Sequence, residues 1–324
     1  MLYREFGQTG WKVSAIGMGT WNIGNQWGEI DETAALATIH SALDNGVNLF
    51  DTAEGYGIPP GLSEQRLGRA LMGIRHQTYI VSKIGSWGRR AGKTIPKIST
   101  DIVRLCAHAC LYRLRTDWID VMLCHEGDIE DPSIYLEAFE QLKEQGHIRV
   151  YGLSTKNFEV LKRFNVNNTC RVVEVDYSLL KRDPESHILP YCEEHGIAVL
   201  IRGPLAKGLL SGQYSSSTVF TDSIRSRWHE EENQQQKFER QIAKVERLKQ
   251  AAKPGEEMTT AALRYVISHP VQPVAIPGAK SPEQAAINAR AGDALLSAEE
   301  RENLVRCLKS SPKPSDPGVI AAVS

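Results

Sequence analysis

The chain has 324 residues and an almost balanced charge, with 38 Lys and Arg residues against 39 Asp and Glu residues. This length corresponds to one large domain or two modest ones, and it can bury a hydrophobic core without metal ions or disulfides. The balanced charge provides no overall field that would favour binding to nucleic acid or to an anionic membrane. No apolar run approaches the ~20 residues of a membrane-spanning helix. The polar N-terminus does not resemble a secretory signal.

The cysteines form no C-x-x-C pair and no pattern typical of a zinc site. We therefore expect reduced thiols in a cytoplasmic protein, and no bound metal. The cysteines are Cys106, Cys110, Cys124, Cys170, Cys192 and Cys307.

Short β-type runs alternate with helix-type runs from the N-terminus onward. Residues 3–6 and 12–16, joined by Gly7 to Gly10, predict a β-hairpin before the first of eight further strands. Most of these eight are continuous apolar runs, as expected for parallel strands covered on both faces. The eight strands are predicted at Ala15–Thr20, Val47–Thr52, Thr78–Lys83, Trp118–His125, Arg149–Ser154, Arg171–Asp176, Ala198–Arg202 and Gln272–Pro277.

Helix start and stop signals lie between these strands. They predict helices from Asp31 to Asn45, over Glu64–Met72, from Ser99 to about Leu114, from Pro132 to Gly146, from Pro184 to Gly196, and from near Pro282. Eight strands alternating with helices predict a (β/α)8 TIM barrel, with a doubly wound open sheet as the alternative. The N-terminal hairpin could plug the bottom of such a barrel.

Two extended loops, Gly85–Ser99 and Leu210–Gln236, follow the C-terminal ends of predicted strands. In a (β/α)8 barrel the functional site is built from loops at this face. We expect a single domain over residues 1–310 and a flexible Pro- and Ser-rich tail over residues 311–324.

Four polar residues lie at or just beyond the ends of predicted strands. Asp51, Lys83 and His125 close three of these strands or follow them, and Tyr56 lies in the glycine-flanked loop after the first. A carboxylate, an ammonium, an imidazole and a phenol can together move a proton onto an oxygen atom. Each residue alone has an ordinary structural explanation, such as a cap or a packing contact. Their joint position on successive strand ends of one fold predicts a catalytic site.

Motifs that cover nearly the whole chain resemble those of the aldo-keto reductase family. They are Gly17–Trp21, Phe50–Gly57, Ser63-Glu64, Ser82-Lys83, Leu123–His125, Gly152–Ser154, Gly203–Gly212, Ile276–Gln284 and Asn288. The resemblance implies an NADPH-dependent enzyme that reduces an aldehyde or ketone to an alcohol. It also implies that Tyr56 is the general acid, that Lys83 lowers the pKa of Tyr56, that Asp51 holds Lys83, and that His125 orients the substrate carbonyl.

The cofactor is expected to be NADP(H), bound without a Rossmann fingerprint. Gly17 and Gly19 could begin such a fingerprint, but Asn22 occupies its third glycine position. Lys280 and the N-terminus of the helix near Pro282 could bind a 2′-phosphate, which favours NADP(H) over NAD(H). The cofactor-binding residues implied by the resemblance are Gly19, Thr20, Trp21, Asp51, Ser154, Thr155, Glu174, Arg202, Gly203, Pro204, Leu205, Lys207, Gly208, Gly278, Lys280, Ser281, Gln284 and Asn288.

The sequence departs from the family pattern near the expected nicotinamide site. Thr155, followed by Lys156, replaces the usual Asn, Glu174 replaces the usual Gln, and Arg202 replaces a frequent aromatic residue. Thr155 and Glu174 can still form hydrogen bonds with a carboxamide. The planar Arg202 can stack on the nicotinamide, although its charge would repel the oxidised ring.

The substrate is predicted only as a small carbonyl compound. Trp21, Tyr56, Trp87 and His125 would wall the pocket and suit an apolar or ring-bearing carbonyl. The basic residues of the Trp87 loop would suit an anionic or sugar substrate, and they are Arg89, Arg90 and Lys93. No nucleic-acid or membrane partner is expected, and the sequence does not indicate an oligomeric state.

Two other functional classes remain open. The first is a non-catalytic, cofactor-binding regulatory or redox-sensing subunit related to potassium-channel β-subunits, because such subunits share most of these motifs. The second is a barrel hydrolase or isomerase. The second would require metal ligands or a carboxylate pair, and no H-x-H motif or close Asp/Glu pair follows a strand, although Glu126 and Asp128 lie near His125.

Overall fold

The fold is a barrel of parallel strands preceded by a β-hairpin. A computed structural model describes residues 1–88, 95–251 and 255–309. Strands β1 (Tyr3–Glu5) and β2 (Lys12–Ser14) pair in antiparallel fashion as the hairpin. The eight barrel strands follow in chain order as β3 (Met18–Gly19), β4 (Leu49–Asp51), β5 (Tyr79–Ile84), β6 (Ile119–Cys124), β7 (Ile148–Ser154), β8 (Val172–Asp176), β9 (Ala198–Arg202) and β10 (Val274–Ala275).

Each barrel strand pairs in parallel with the next one in the chain, from β3 to β10. Between β10 and β3 the barrel is closed by parallel bridges that join Ile16 to Ala275 and Gly19 to Gly278. There the Gly17 N–H donates to the Ala275 carbonyl at 2.8 Å. We call this junction the seam. The (β/α)8 barrel and its N-terminal hairpin are thus confirmed, and the doubly wound sheet is excluded.

Helices surround the barrel. They are α1 (Glu32–Asp44), α2 (Leu62–Ala70), α3 (Thr100–Leu114), α4 (Ser133–Glu144), α5 (Phe158–Phe164), α6 (Ile188–His195), α7 (Glu232–Ala251), α8 (Met258–Ile267), α9 (Pro282–Arg290) and α10 (Ala298–Lys309). Asp31 caps α1 as predicted, because its carboxylate accepts a hydrogen bond from the Ala34 N–H at 2.8 Å. Ser99 and Ser281 cap α3 and α9 in the same way.

Three predicted helix boundaries are wrong. Helix α2 begins at Leu62 rather than Glu64, because Gly61 adopts a left-handed φ of 87° that turns the chain into the helix earlier. Pro184 lies in a short 3-10 turn, Asp183–Ser186, and α6 begins only at Ile188. Helix α7 begins inside the predicted loop that ends at Gln236, since its Glu, Gln and Lys residues are good helix formers despite their polarity.

The hairpin closes the N-terminal end of the barrel. Phe6 and Val13 are buried in one cluster with barrel residues that include Leu49, Val81 and Val121. Because alternate side chains of a strand point to opposite faces, the other side chains pack outward against the helices. The hairpin does not cover the opposite, C-terminal end of the barrel, where the polar residues described below lie.

Two sets of sequence expectations lie outside the described residues. They are the basic loop residues Arg89, Arg90 and Lys93, and the tail over residues 311–324. Within the described part of the chain, no helix combines the length and apolarity that a membrane crossing requires. The six cysteines form no disulfide within the described residues.

Candidate active site

Lys83 is the centre of a buried polar group at the C-terminal end of the barrel. It lies in β5 and has no solvent-exposed surface. Its Nζ lies 2.5 Å from Asp51 Oδ2 at the end of β4, 2.9 Å from the Thr52 carbonyl oxygen and 3.4 Å from the Tyr56 hydroxyl. The structure therefore brings together three of the four predicted catalytic side chains around one ammonium.

His125, the fourth predicted catalytic residue, follows β6 and faces the same group. Its ring makes an edge contact with the Tyr56 ring, with 6.0 Å between the centroids. Its Nδ1 lies 2.9 Å from the Ser86 hydroxyl, a contact that fixes the orientation of the imidazole. Tyr56 and His125 both line the large cavity described below, so a substrate carbonyl placed there can contact both.

Glu174 also belongs to this group. It lies in β8, is fully buried, and places Oε2 3.1 Å from Lys83 Nζ. Its Oε1 accepts a hydrogen bond from the Ser154 hydroxyl at 3.1 Å and lies 3.8 Å from Arg202 Nε. Glu174 does not line the cavity. The sequence predicted a carboxamide contact for this residue, whereas its buried carboxylate is engaged by Lys83 and Ser154.

The pKa of Tyr56 differs from the sequence expectation. Burial raises the pKa of the Tyr56 phenol to about 12, because it outweighs the lowering effect of Lys83, and Asp51 and Glu174 raise this pKa further. Lys83 does act to lower this pKa, as the sequence predicted, but burial raises the pKa by more, so the net shift is upward. At neutral pH the phenol carries its proton, which is the form that a general acid requires.

Lys83 stays charged despite its burial. Burial lowers the pKa of its ammonium, but the carboxylates of Asp51 and Glu174 raise this pKa by more. For the two carboxyl groups, burial and the neighbouring Glu174 hold the pKa of Asp51 well above its ordinary value. Burial also acts to raise the pKa of Glu174, but Lys83 and then Arg202 lower it below the ordinary value.

A cavity of about 1950 Å³ opens above this group. It extends from Tyr56 and His125 along the turn that follows β9 to the N-terminal end of α9. Most residues predicted to bind the cofactor line it, and they are Gly19, Trp21, Asp51, Ser154, Thr155, Arg202, Gly203, Pro204, Leu205, Lys207, Gly208, Gly278, Lys280, Gln284 and Asn288.

Two further residues predicted to bind the cofactor do not line this cavity. Thr20 is completely buried beneath it, where its hydroxyl donates to the Asp51 carbonyl at 2.9 Å and contacts the Ser63 hydroxyl. Ser281 acts as the cap of α9, since its Oγ accepts from the Gln284 N–H at 3.3 Å. Both side chains are committed to local structure, which the motif alone does not reveal.

The aromatic wall of the cavity is only partly as predicted. Trp21 stacks on Tyr56, with 5.7 Å between ring centroids, and Trp27 packs edge-on against Trp21. Trp87, which the sequence placed in this wall, does not line the cavity, because its ring lies against the Arg113 guanidinium at 5.0 Å. Trp27 takes part in the wall instead, although no motif in the sequence indicated this role.

Gln26 is a site residue that the sequence reasoning missed. Its Oε1 accepts hydrogen bonds from the Trp21 indole N–H at 2.5 Å and from the Gly57 N–H at 3.0 Å. It is buried, and it joins the loop after β3 to the loop that carries Tyr56. A polar side chain between two tryptophans in a loop was the available signal.

The turn after β9 suits a close approach of its backbone to a phosphate. Gly203, Lys207 and Gly208 all have positive φ values, of 64°, 58° and 93°. The positive φ of Gly203 favours glycine, and a Cβ atom there would lie 2.8 Å from the Asp176 carboxylate, which would have to move. At the glycines of this turn no side chain stands between the backbone and a bound pyrophosphate.

At the far end of the cavity, Lys280 precedes the N-terminus of α9. Its Nζ donates to the Trp27 carbonyl at 3.0 Å, and its backbone N–H donates to Gln284 Oε1 at 2.9 Å. The N-terminus of a helix attracts anions, since its unpaired N–H groups carry partial positive charge. A phosphate here would meet both the ammonium and the helix.

The long loop after β9 is joined to the loop after β3. The Ser223 hydroxyl donates to the Gln26 carbonyl at 3.0 Å, and the Arg225 guanidinium lies 5.6 Å from the Trp27 ring. Asp222 holds Arg225 through an ion pair of 2.7 Å.

The described residues include no group of three or more His, Cys, Asp or Glu side chains that could hold a metal ion.

Comparison with known proteins gives a consistent result. The Aldo/keto reductase family model matches residues 15–309. Aldo-keto reductase YhdN of Bacillus subtilis (strain 168) is 30% identical, with 96% of this chain and 95% of that protein covered. NADH-specific methylglyoxal reductase of Escherichia coli (strain K12) is 29% identical over 93% of this chain and 98% of that protein.

A solved structure shares the fold over nearly the full length. The aldo-keto reductase from Klebsiella pneumoniae in complex with NADPH superimposes with a TM-score of 0.72 at 28% identity, and the match covers 97% of this chain and 98% of that one. Together with the family match and with the Tyr56, Lys83, Asp51 and His125 group, this similarity means that the chain belongs to the aldo/keto reductase family.

Proposed function

We propose that this chain is an NADPH-dependent reductase of aldehydes or ketones, with Tyr56 as its general acid. The observation that carries the proposal is the position of the Tyr56 phenol, which lies beside His125 at one end of a cavity large enough for a dinucleotide. A third residue, Lys83, is charged and lies 3.4 Å from this phenol. General acid catalysis of this kind contributes roughly 10²–10⁴-fold to a rate.

The residues present fit the cofactor. The glycine-rich turn after β9 would accept the pyrophosphate, and Ser154, Thr155 and Arg202 would surround the nicotinamide. Lys280 and the N-terminus of α9 would accept a 2′-phosphate, which favours NADPH over NADH. When bound, NADPH supplies a hydride to the carbonyl carbon. The NADPH-bound Klebsiella pneumoniae relative supports this choice, whereas the Escherichia coli relative is NADH-specific.

The side chains of the site divide the remaining tasks. Tyr56 donates its proton to the carbonyl oxygen as negative charge develops there, and His125 orients that oxygen by a hydrogen bond. Lys83 stabilises the phenolate that remains. Trp21 provides an apolar wall against which the rest of the substrate packs. The cysteines form no disulfide within the described residues, which suits a reducing compartment, and we propose that the protein acts in the cytoplasm on a small carbonyl compound.

The variant Tyr56→Phe tests the proposal. It should lower kcat for carbonyl reduction by about 10²–10⁴-fold, because only the proton donor is removed. Binding of NADPH, followed by cofactor fluorescence, should change little. Tyr112→Phe is the matched control, since the Tyr112 side chain is exposed on α3 and should leave turnover unchanged. Turnover would be measured with a panel of aromatic aldehydes, sugars and α-dicarbonyls.

The same panel separates the enzyme from a regulatory subunit. A protein that binds NADPH tightly but reduces none of the carbonyls would support the regulatory, redox-sensing alternative. Turnover by Tyr56→Phe within a few-fold of the unsubstituted chain would refute the role of Tyr56 while leaving the reductase activity itself established.

A further inference from the structure

Two carboxyl groups from distant strands meet the same buried ammonium. Asp51 in β4 and Glu174 in β8 lie 2.5 Å and 3.1 Å from Lys83 Nζ. None of these three residues has more than 3% of its surface exposed. The ammonium has three N–H bonds, but four oxygen atoms surround it when the Thr52 carbonyl and the Tyr56 hydroxyl are included. Tyr56, at 3.4 Å, is the most distant of the four.

If both carboxyl groups are ionised, the buried ammonium of Lys83 neutralises only one of them. The cation nearest to Glu174 apart from Lys83 is Arg202, at 3.8 Å, and it is 41% exposed and also faces Asp176. An unpaired negative charge is costly in a site closed to water. The charged and titratable groups that face the two carboxyls are Tyr56, Lys83, His125 and Arg202.

A shared proton would remove the second negative charge from this buried group. Glu174 Oε2 is buried and makes no hydrogen bond within the described residues, apart from its ion-pair contact with Lys83. An ionised Asp51 could not donate to it, whereas a protonated Asp51 could. Two carboxyl groups that lie close together in a buried site characteristically retain one proton between them.

We propose that Asp51 and Glu174 share one proton, and that this pair supplies the proton that replaces the one Tyr56 donates to the substrate. We call the pair the proton store. Glu174 is a positioning residue, because it keeps the shared proton on the pair. The proposal rests on the proposed function. The directions of the two pKa values agree with it, since burial and Glu174 raise the pKa of Asp51, while Lys83 and Arg202 lower that of Glu174 in spite of its burial.

The proton movements balance. Tyr56 gives its O–H proton to the substrate oxygen, Lys83 gives an N–H proton to the Tyr56 oxygen, and the carboxyl pair gives its proton to Lys83. Each transfer breaks one bond to hydrogen and forms another. At the end, the alcohol has gained one proton, Tyr56 and Lys83 are restored, and the pair has lost the proton. No water molecule has to reach the buried ammonium during the step.

Calorimetry without turnover tests the proton store. Binding heats for NADP⁺ and for NADPH would be measured at neutral pH in buffers of different ionisation enthalpy, which gives the number of protons released. Because Asp51 lines the cavity, the positive charge of the oxidised ring should expel the shared proton. We expect NADP⁺ to release about one more proton than NADPH does. The 2′-phosphate is common to both cofactors and cancels in this difference.

Variants identify the source of that proton. Glu174→Gln should reduce the difference between the cofactors to near zero, because the amide cannot share a carboxyl proton, and Asp51→Asn should do the same from the other side. Glu140→Gln is the control for loss of a carboxyl group, since Glu140 on α4 pairs with Lys143 and does not line the cavity. Tyr56→Phe should keep the release, which separates the pair from the phenol.

The outcomes separate the inference from the proposed function. Equal proton release with both cofactors in the unsubstituted chain would overturn the proton store. Undiminished release by a folded Glu174→Gln or Asp51→Asn, or loss of release in Tyr56→Phe, would overturn it as well. The proposed carbonyl reductase function would not be contradicted by any of these three results. Failure to bind either cofactor would overturn the proposed function and the inference together.

Discussion

Replacing Lys83 by methionine should abolish carbonyl reduction and destabilise the fold in a pH-dependent way. Methionine fills nearly the same volume as the buried lysine stem, so packing should change little. The ammonium is lost, however, and within the described part of the chain Asp51 and Glu174 keep no other cation within 3.1 Å. Removing one partner of a buried ion pair costs about 3–5 kcal/mol, and we expect this loss at pH 8.

The sign of the pH dependence follows from the two carboxyl groups. Without Lys83, the folded pKa of Asp51, which is already raised, rises further, and that of Glu174 rises above its unfolded value of about 4. A group with a raised folded pKa contributes its stability below the unfolded pKa and loses it as the pH rises through the folded pKa. The deficit of Lys83→Met should therefore be small near pH 4 and should grow toward pH 8.

Urea unfolding, followed by tryptophan fluorescence, would give the free energies of unfolding at both pH values. The control is Lys143→Met, whose exposed ion pair with Glu140 should contribute less than about 1 kcal/mol at either pH. An equal deficit at both pH values would refute the electrostatic reasoning. Turnover of Lys83→Met within a few-fold of the unsubstituted chain would refute the role of Lys83.

Further predictions concern the rest of the site. Lys280→Ala should weaken NADPH binding by about 10- to 150-fold and NADH binding far less, because a charge-assisted bond to a phosphate contributes roughly 1.5–3 kcal/mol. Fluorescence titration would measure both affinities. Equal losses for the two cofactors would mean that Lys280 does not bind the 2′-phosphate. Gln26→Leu should raise KM more than it lowers kcat, since Trp21 loses its hydrogen bond; an unchanged KM would contradict this. The reduction rate of the unsubstituted chain should show no loss at the ordinary tyrosine pKa of about 10, because the pKa of Tyr56 is raised to about 12.

The strand ends that carry the proposed catalytic residues could be predicted from the sequence, because each is preceded by a continuous apolar run. Asp51, Lys83 and His125 therefore lie where the alternation of strands and helices placed them. The contact between Lys83 and Glu174 could not be predicted in this way. It joins β5 to β8, and the separation of these strands across the barrel depends on strand tilt and closure, which no local pattern encodes.

Loop side chains were the least predictable part of the site. Trp87 follows a barrel strand, and its composition suited a pocket wall, but Arg113 of α3 attracts its ring away from the cavity. Trp27 reaches the cavity because Arg225 and Lys280, which lie about 200 residues or more further along the chain, hold its loop. These competing contacts depend on tertiary structure, so the composition of a loop alone cannot decide between them.

The short strands at the seam between β10 and β3 affect how a bound dinucleotide would leave the cavity. These two strands have two residues each, whereas β5, β6 and β7 have six or seven. Local opening costs least where few backbone hydrogen bonds must break. The amides of Gly17 and Gly19 should therefore exchange with solvent deuterium before those of the Lys83 strand. Gly19 and Gly278, which pair across the seam, also line the cavity. A bound dinucleotide would therefore contact the seam from inside the cavity, and its dissociation rate would depend on how often the seam opens.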